Sequence, residues 1–137
     1  MTSESKLSEE ILIDAARAAK KNSYSPYSNF PVGAAVLLED GQIFKGTNIE
    51  NASYGLTCCA ERVALFSART ASASKVVALA ISIGHEDANL PTDSLVPCGA
   101  CRQVMSEFLD PDTLIYVDGN RMFTMDELLP HSFRLKV

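Results

Sequence analysis

No stretch of this chain approaches the roughly 20 consecutive apolar residues that span a bilayer. Its opening, MTSESKLSEE, is polar and acidic where a signal peptide needs a basic and then an apolar run. No run of lysine and arginine marks a basic patch. The formal net charge of −5 and a pI near 4.9 also work against nucleic acid, whose phosphates are bound through Lys and Arg. These absences argue against a membrane protein and against a nucleic-acid binder, and for a cytoplasmic one. Internal repeats, low-complexity tracts and long linkers are missing too, so residues 1–137 read as a single domain of ordinary size. What is present, 47% hydrophobic and 21% charged residues, is the composition of a compact globular protein. In the cytosol the 4 cysteines would stay reduced, where clustered thiols serve metals or catalysis more often than disulfides.

The hydrophobic pattern predicts the order α-β-β-α-β-α-β-β-α. Ser8 can cap a helix that opens with Glu9 and Glu10, carries Ile11, Ala15, Ala18, Ala19 and Asn22 at helical spacing, and stops before 23–26. Strands over 32–38 and 42–49 are joined at Asp40-Gly41, a two-residue hairpin signal. A helix over 58–71 groups Val63, Phe66, Ser67 and Thr70 with Ala64 on one face. Residues 76–83 are apolar on both faces, hence a central strand, and a polar loop over 84–97 leads to a helix over 98–109. A strand over 114–117, a turn at Gly119-Asn120 and a return strand over 121–123 follow. Thr124 and Glu127 form a capping box for a last short helix ended by Pro130. Such an order argues for an α/β fold, one mixed sheet with helices on both faces.

Cys98-Gly99-Ala100-Cys101 places two thiols at i,i+3, which one helical turn aims the same way, toward one ion. Cys58 or Cys59 offers a third ligand. A zinc held by three protein ligands keeps a fourth position for water, the catalytic arrangement. Helix N-termini favour thiolates there through their partial positive charge. Two plainer readings stand beside this one. A closed four-cysteine site is disfavoured because adjacent helical side chains diverge by about 100°. A thioredoxin-type redox pair at C-G-A-C would leave Cys59 and Glu61 without a task.

The string C-A-E at 59–61, followed by P-C-G-A-C at 97–101, matches the all-cysteine form of the zinc-deaminase signature only if Cys59 is the ligand. Glu61 sets that register and leaves Cys58 as a spare thiol packed beside the site. With Y-S-P-Y-S-N-F-P-V-G-A-A (24–35), N-I-E-N-A-S-Y (48–54), C-G-A-C-R-Q (98–103) and E-L-L-P (127–130) followed by Phe133, the chain resembles the small homotetrameric zinc-dependent cytidine deaminases. The resemblance implies a three-layer α/β/α sandwich with a mixed five-stranded sheet and one Zn²⁺ per subunit. The reaction it implies is hydrolysis of cytidine or deoxycytidine to the uracil nucleoside and ammonia, a pyrimidine-salvage step.

Carried onto this sequence, the resemblance puts zinc on Cys59, Cys98 and Cys101, the proton shuttle on Glu61, and a hydrogen bond to ligand sulfur on Arg62. It puts ribose contacts on Asn48 and Glu50, the base-carbonyl donor on the Ala60 N–H, pocket aromatics on Phe30 and on Phe133 of a neighbouring subunit, and a subunit-contact ring on Tyr54. A phosphate would meet the charge of Glu50, so nucleosides are expected over nucleotides. His85 and His131 have no matching role. A rival is a deaminase of the same fold acting on a cytosine-containing antibiotic such as blasticidin S, against which the N-I-E-N-A-S-Y motif argues. A structural zinc or redox protein is a rival of another class.

Overall fold

The computed structural model describes residues 3–85 and 89–135. In chain order its elements are α1 (Ser3–Lys20), β1 (Val32–Leu38), β2 (Ile43–Thr47), α2 (Ala60–Ala71), β3 (Val76–Ile83), α3 (Gly99–Phe108), β4 (Leu114–Val117), β5 (Met122–Thr124) and α4 (Met125–Leu128). The expected order holds throughout. β1 turns back into β2 because Gly41, at φ +91°, can take the left-handed conformation that the turn needs. The hairpin loop is three residues long rather than two: Leu38 N–H donates to Gln42 O and Gly41 N–H to Leu38 O, both at 2.9 Å. Residues 86–88 of the loop expected over 84–97 lie outside the described residues. Thr92–Ser94 of that loop form a short 3₁₀ turn.

The five strands form one mixed sheet in the order β2-β1-β3-β4-β5, in which only β3 and β4 run parallel. β3 is central, as its two apolar faces require. Ala78 and Ala80 of β3 pack with Leu12 and Ala16 of α1 on one face. Leu79 and Ile81 pack with Ala64 and Leu65 of α2 and Met105 of α3 on the other, where Met125 and Leu128 of α4 also lie. The result is a three-layer α/β/α sandwich. A register shift opposite Leu37 and Leu38 leaves Val77 as the extra residue of a bulge, so Val76 and Ala78 serve opposite layers although they are two apart.

Both main helices lie directly on strand backbone, and glycine makes this possible. A Cβ on Gly33 would stand 2.0 Å from Ala16 O in α1, and one on Gly46 would stand 2.4 Å from Ala64 N in α2. This close seating corrects two expectations. α1 buries Leu12, Ala16, Ala19 and Lys20, leaving Ile11 46% exposed. α2 buries Ala60, Glu61, Ala64, Leu65 and Ala68, while Phe66, Ser67 and Thr70 are exposed. Small residues lie where each helix crosses a strand glycine, Ala16 over Gly33 and Ala60 and Ala64 over Gly46, because large ones would not fit there. Leu12 and Leu65 are buried beside them. α1 also begins at Ser3 rather than just after Ser8, so Ser8 sits within the helix and does not cap it. A serine that could cap a helix does not stop one when the preceding residues accept helical conformation.

Candidate active site

Two helix starts meet at one end of the sheet. α2 begins at Ala60, two residues later than expected, with Cys59 in the extended cap position, and α3 begins at Gly99 with Cys98 as its cap. Cys98 acts as a true cap, its Sγ accepting from Cys101 N–H at 3.4 Å. The three sulfurs of Cys59, Cys98 and Cys101 all lie within 4.8 Å of one another. Cys59 to Cys98 is 3.9 Å and Cys98 to Cys101 is 3.2 Å. Tetrahedral zinc at about 2.3 Å from each sulfur sets sulfurs roughly 3.8 Å apart, so small adjustments would admit the ion. Three thiolates are a soft donor set that suits zinc. The C-G-A-C pair therefore does not stand alone as a redox pair.

Cys58 is outside this group, for a reason other than helical divergence. It lies in an extended bridge with Ile49, donating from its N–H to Ile49 O and accepting from Ile49 N–H, both at 2.9 Å. Extended chain sends successive side chains to opposite sides. Burial pushes the Cys58 thiol up, with Arg62 opposing. Cys59 is drawn down to about 5, first by a hydrogen bond from the Cys101 thiol and then by Arg62, with burial opposing. Cys101, the donor of that bond and buried, is raised. Arg62 Nη2 donates to Thr57 O at 3.3 Å and to Cys59 Sγ at 3.4 Å, so one guanidinium fixes both the turn before α2 and the thiolate at its cap.

Glu61 is 4% exposed, and that burial raises its pKa; the neighbouring Cys59 charge acts in the same direction. It faces a cavity of about 210 Å³ whose walls include Phe30, Asn48, Cys59, Ala60 and Cys98. The fold thus gathers six of the sequence-predicted residues, Glu61 among them, around one space. The amide of Asn48 is largely committed: its Nδ2 donates to Phe30 O at 2.8 Å, and its Oδ1 accepts from Val32 N–H at 3.0 Å and from the Ser23 hydroxyl. One Nδ2 hydrogen remains.

Glu50 and Tyr54 are not in that cavity. They line a recess of about 350 Å³ with Tyr27, Ser28 and Asn51, and Thr57 borders both spaces. The Glu50 carboxylate accepts from the N–H groups of Tyr27 and Ser28 at 3.0 and 3.2 Å and from the Ser28 hydroxyl. The Ser28 hydroxyl is the first cause of its lowered pKa. Tyr54 is 78% exposed and meets Tyr27 edge-on, with ring centroids 6.4 Å apart. Phe133 is 66% exposed and does not line its own chain's cavity. His85 is a loop residue, hydrogen-bonded to Asn29 O at 2.9 Å.

Sequence reasoning missed the apolar walls, Val32, Ile83 and Val96, together with Thr57 and Ser94. The first two were visible as strand ends, the others carried no signal. It also left Arg102 without a task. Its Nε donates to Pro97 O at 2.9 Å and its Nη1 to Leu128 O at 2.8 Å, tying the residue before Cys98 to the end of α4.

Residues 6–117 match the family model described as the cytidine and deoxycytidylate deaminase zinc-binding region. A cytidine deaminase of Halalkalibacterium halodurans is 48% identical over 129 residues, 90% of this chain and 92% of the relative. One from Sporosarcina psychrophila is 41% identical, covering 90% of each chain. The crystal structure of a cytidine deaminase from Burkholderia pseudomallei superposes with a TM-score of 0.78 at 43% identity, covering 97% of this chain and all of that one.

Proposed function

The chain belongs to the cytidine and deoxycytidylate deaminase family of zinc-dependent hydrolases, and we propose that it deaminates cytidine and deoxycytidine at the cavity beside Glu61. The observation that carries this reading is that three thiols lie within 4.8 Å of one another and that two of them, Cys59 and Cys98, line one cavity with the buried carboxyl group of Glu61. Cys59, Cys98 and Cys101 hold one zinc ion per chain. Zinc in that position supplies a polarised water that is nucleophilic at neutral pH.

The rest falls to the chain's own residues. Glu61 takes one proton from the attacking water and passes it to the pyrimidine N3. It then takes the second from the new C4 hydroxyl and passes it to the 4-amino group, so that ammonia leaves and a carbonyl remains at C4. A raised pKa suits a group that must both accept and release a proton near neutrality. The Ala60 N–H, in the first turn of α2, donates to the base carbonyl, and Phe30 covers the ring. Arg62 offsets the negative charge of three thiolates through its bond to Cys59 Sγ at 3.4 Å.

The remaining Nδ2 hydrogen of Asn48 and the Glu50 carboxylate hold ribose hydroxyls, the sugar reaching past Thr57 into the second recess. The lowered pKa of Glu50 keeps it anionic, which turns a 5′-phosphate away and favours nucleosides. The chain works in the cytoplasm as a pyrimidine-salvage enzyme built from one domain, 1–137. Its net charge of −5 works against nucleic acid as a partner; among the described residues no helix is long and apolar enough to cross a membrane.

The active unit is a homotetramer in which a neighbour supplies Phe133 and Tyr54 places its ring at the subunit contact. Their exposures of 66% and 78%, with Leu56 at 70%, support that reading. Incubating purified protein with cytidine while following ammonia and zinc together tests the reaction; zinc-loaded protein that releases no ammonia refutes it. Sedimentation paired with kinetics tests the assembly. Truncation before Ser132 should leave a zinc-loaded subunit with a KM raised about tenfold, the scale of one lost aromatic contact. A fully active monomer would overturn the shared pocket.

A further inference from the structure

The two zinc ligands that α3 brings are held in different ways. Cys101 is fully buried in the core cluster between sheet and helices, so packing fixes it. Cys98 is exposed and stands just outside the helix in the extended cap position, at φ −69° and ψ 167°. The direction of its sulfur therefore rests on the backbone on either side and on the Cys101 N–H that it accepts from. Two peptide groups flank its Cα; one carries Pro97 O and the other Cys98 O.

One residue holds both. Arg102 donates its main-chain N–H to Cys98 O at 3.0 Å and its side-chain Nε to Pro97 O at 2.9 Å. Pro97 has no N–H of its own, so its carbonyl is the one main-chain group by which it can be tied. The guanidinium is braced in turn, since its Nη1 donates to Leu128 O at 2.8 Å. Leu128 is buried in the same core cluster as Cys101 and ends α4, whose start is fixed by the capping box of Thr124 and Glu127. Arg102 thus carries the rigidity of the core out to an exposed cap. At the other helix start the contacts are divided: Val63 N–H donates to Cys59 O at 3.2 Å, while Arg62 takes Thr57 O and the Cys59 sulfur.

We propose that Arg102 is a positioning residue for the metal centre: by fixing both peptide groups around Cys98 it aims that thiolate, and so sets how long zinc is retained. The inference rests on the three-thiolate reading given above. Arg102 is not among the walls of the cavity beside Glu61, so it acts through Cys98 and not on the substrate. The planar fork suits the task, because Nε and Nη1 reach two carbonyls at once. A lysine, with one compact charge on a flexible stem, cannot span them in the same way.

The test is the rate of zinc release from the loaded protein into excess chelator, measured beside Tm. Arg102→Met, which keeps an apolar stem and drops the fork, should release zinc about 10–100-fold faster than the parent, the usual scale for losing a group that orients a metal ligand. Arg102→Lys keeps the charge and should still release zinc faster than the parent; a parental rate there would reduce the role to charge and overturn the proposal. Should Arg102→Met fail to fold, Arg102→Lys carries the test by itself. Gly33→Ala, strained through α1, is the control for a merely structural loss, and should lose Tm while keeping the parental release rate. Equal acceleration in Gly33→Ala and Arg102→Met would mean general loosening and would sink the inference. A parent that takes up no zinc refutes the metal centre and this inference with it, whereas a zinc-loaded parent matched by Arg102→Met refutes the positioning role alone.

Discussion

Replacing Gly46 with alanine should damage the active site from the far side of α2. The added Cβ would stand 2.4 Å from Ala64 N, 2.6 Å from Ala60 O and 2.9 Å from Ala64 Cα, all of them backbone atoms that no rotamer change can move. Ordinary contact begins at 3.4 Å, so α2 must lift by about 1 Å, and overpacking of that kind costs roughly 1–3 kcal/mol. For a chain of this length that is a fall in Tm of about 4–12 °C. Ala60 and Ala64 flank the turn that carries Glu61, and Cys59 caps it. A 1 Å displacement of catalytic groups can cost on the order of 100-fold in rate.

Two other glycines make the experiment discriminating. Gly33→Ala meets Ala16 O at 2.0 Å and Lys20 N at 2.5 Å, so it should destabilise comparably through α1 while the folded fraction keeps its kcat. Gly41→Ala meets nothing within 4 Å but sits at φ +91°, so it should cost only about 1 kcal/mol through backbone strain. Tm, zinc content and kcat/KM would be measured for all three. A Gly46→Ala protein with parental kcat/KM, or a Tm loss no larger than that of Gly41→Ala, would refute the argument that this contact seats the catalytic helix.

Cys59→Ala, Cys98→Ala and Cys101→Ala should each purify without zinc and without activity, whereas Cys58→Ser should keep both; metal analysis that reverses Cys58 and Cys59 would reassign the ligand. Glu61→Gln should keep zinc and fold but lose about 10²–10⁴-fold or more in kcat, since the amide preserves shape and cannot carry protons; near-normal turnover in a zinc-replete variant would remove Glu61 from the mechanism. Acid unfolding should report on Asp118, whose pKa is lowered first by Arg17 and then by Ser82. A depressed folded pKa gives stability that is present above the unfolded value and lost as pH falls through the folded one, so Asp118→Asn should be less stable near pH 7 and show a shallower loss below about pH 4. An acid transition with the slope of the parent would show that the pair contributes nothing.

The elements and their order along the chain were legible because apolar runs and turn residues bound them, and the central place of β3 because it is apolar on both faces. The faces of the helices were not. Hydrophobic spacing favours large side chains, and in α2 it picks out Val63 and Phe66, yet the buried stripe is Ala60, Ala64, Leu65 and Ala68. The cause lies in another segment, since Gly46 of β2 admits the α2 backbone so closely at Ala60 and Ala64 that only small residues fit at the crossing, with Leu65 buried beside it. Gly33 has the same effect on α1 at Ala16, and turning that face inward leaves Ile11 facing out. The pairing of a strand glycine with a helix alanine is a relation between distant residues, and no periodicity within one helix contains it.

The active site divides along the same line. The thiols and Glu61 could be read because the chemistry is local: two helix caps, each with its reactive residues within a turn. Even there the reason for excluding Cys58 had to be corrected, since an extended bridge to Ile49, not helical divergence, turns it away from the other sulfurs. The walls could not be read, because Val32, Ile83 and Val96 come from three segments whose meeting depends on the whole sheet. Nor could the separation of Asn48 from Glu50, two residues apart yet lining two spaces that share Thr57. That separation fits a ligand of two parts better than it fits a base alone. The inner cavity of about 210 Å³ is smaller than the roughly 300–1,000 Å³ usual for ligand pockets, so a flat ring bound there must leave its substituent outside, against Thr57 and the anionic Glu50. On the function proposed above, the step from one recess to the next would select for a sugar over a phosphate.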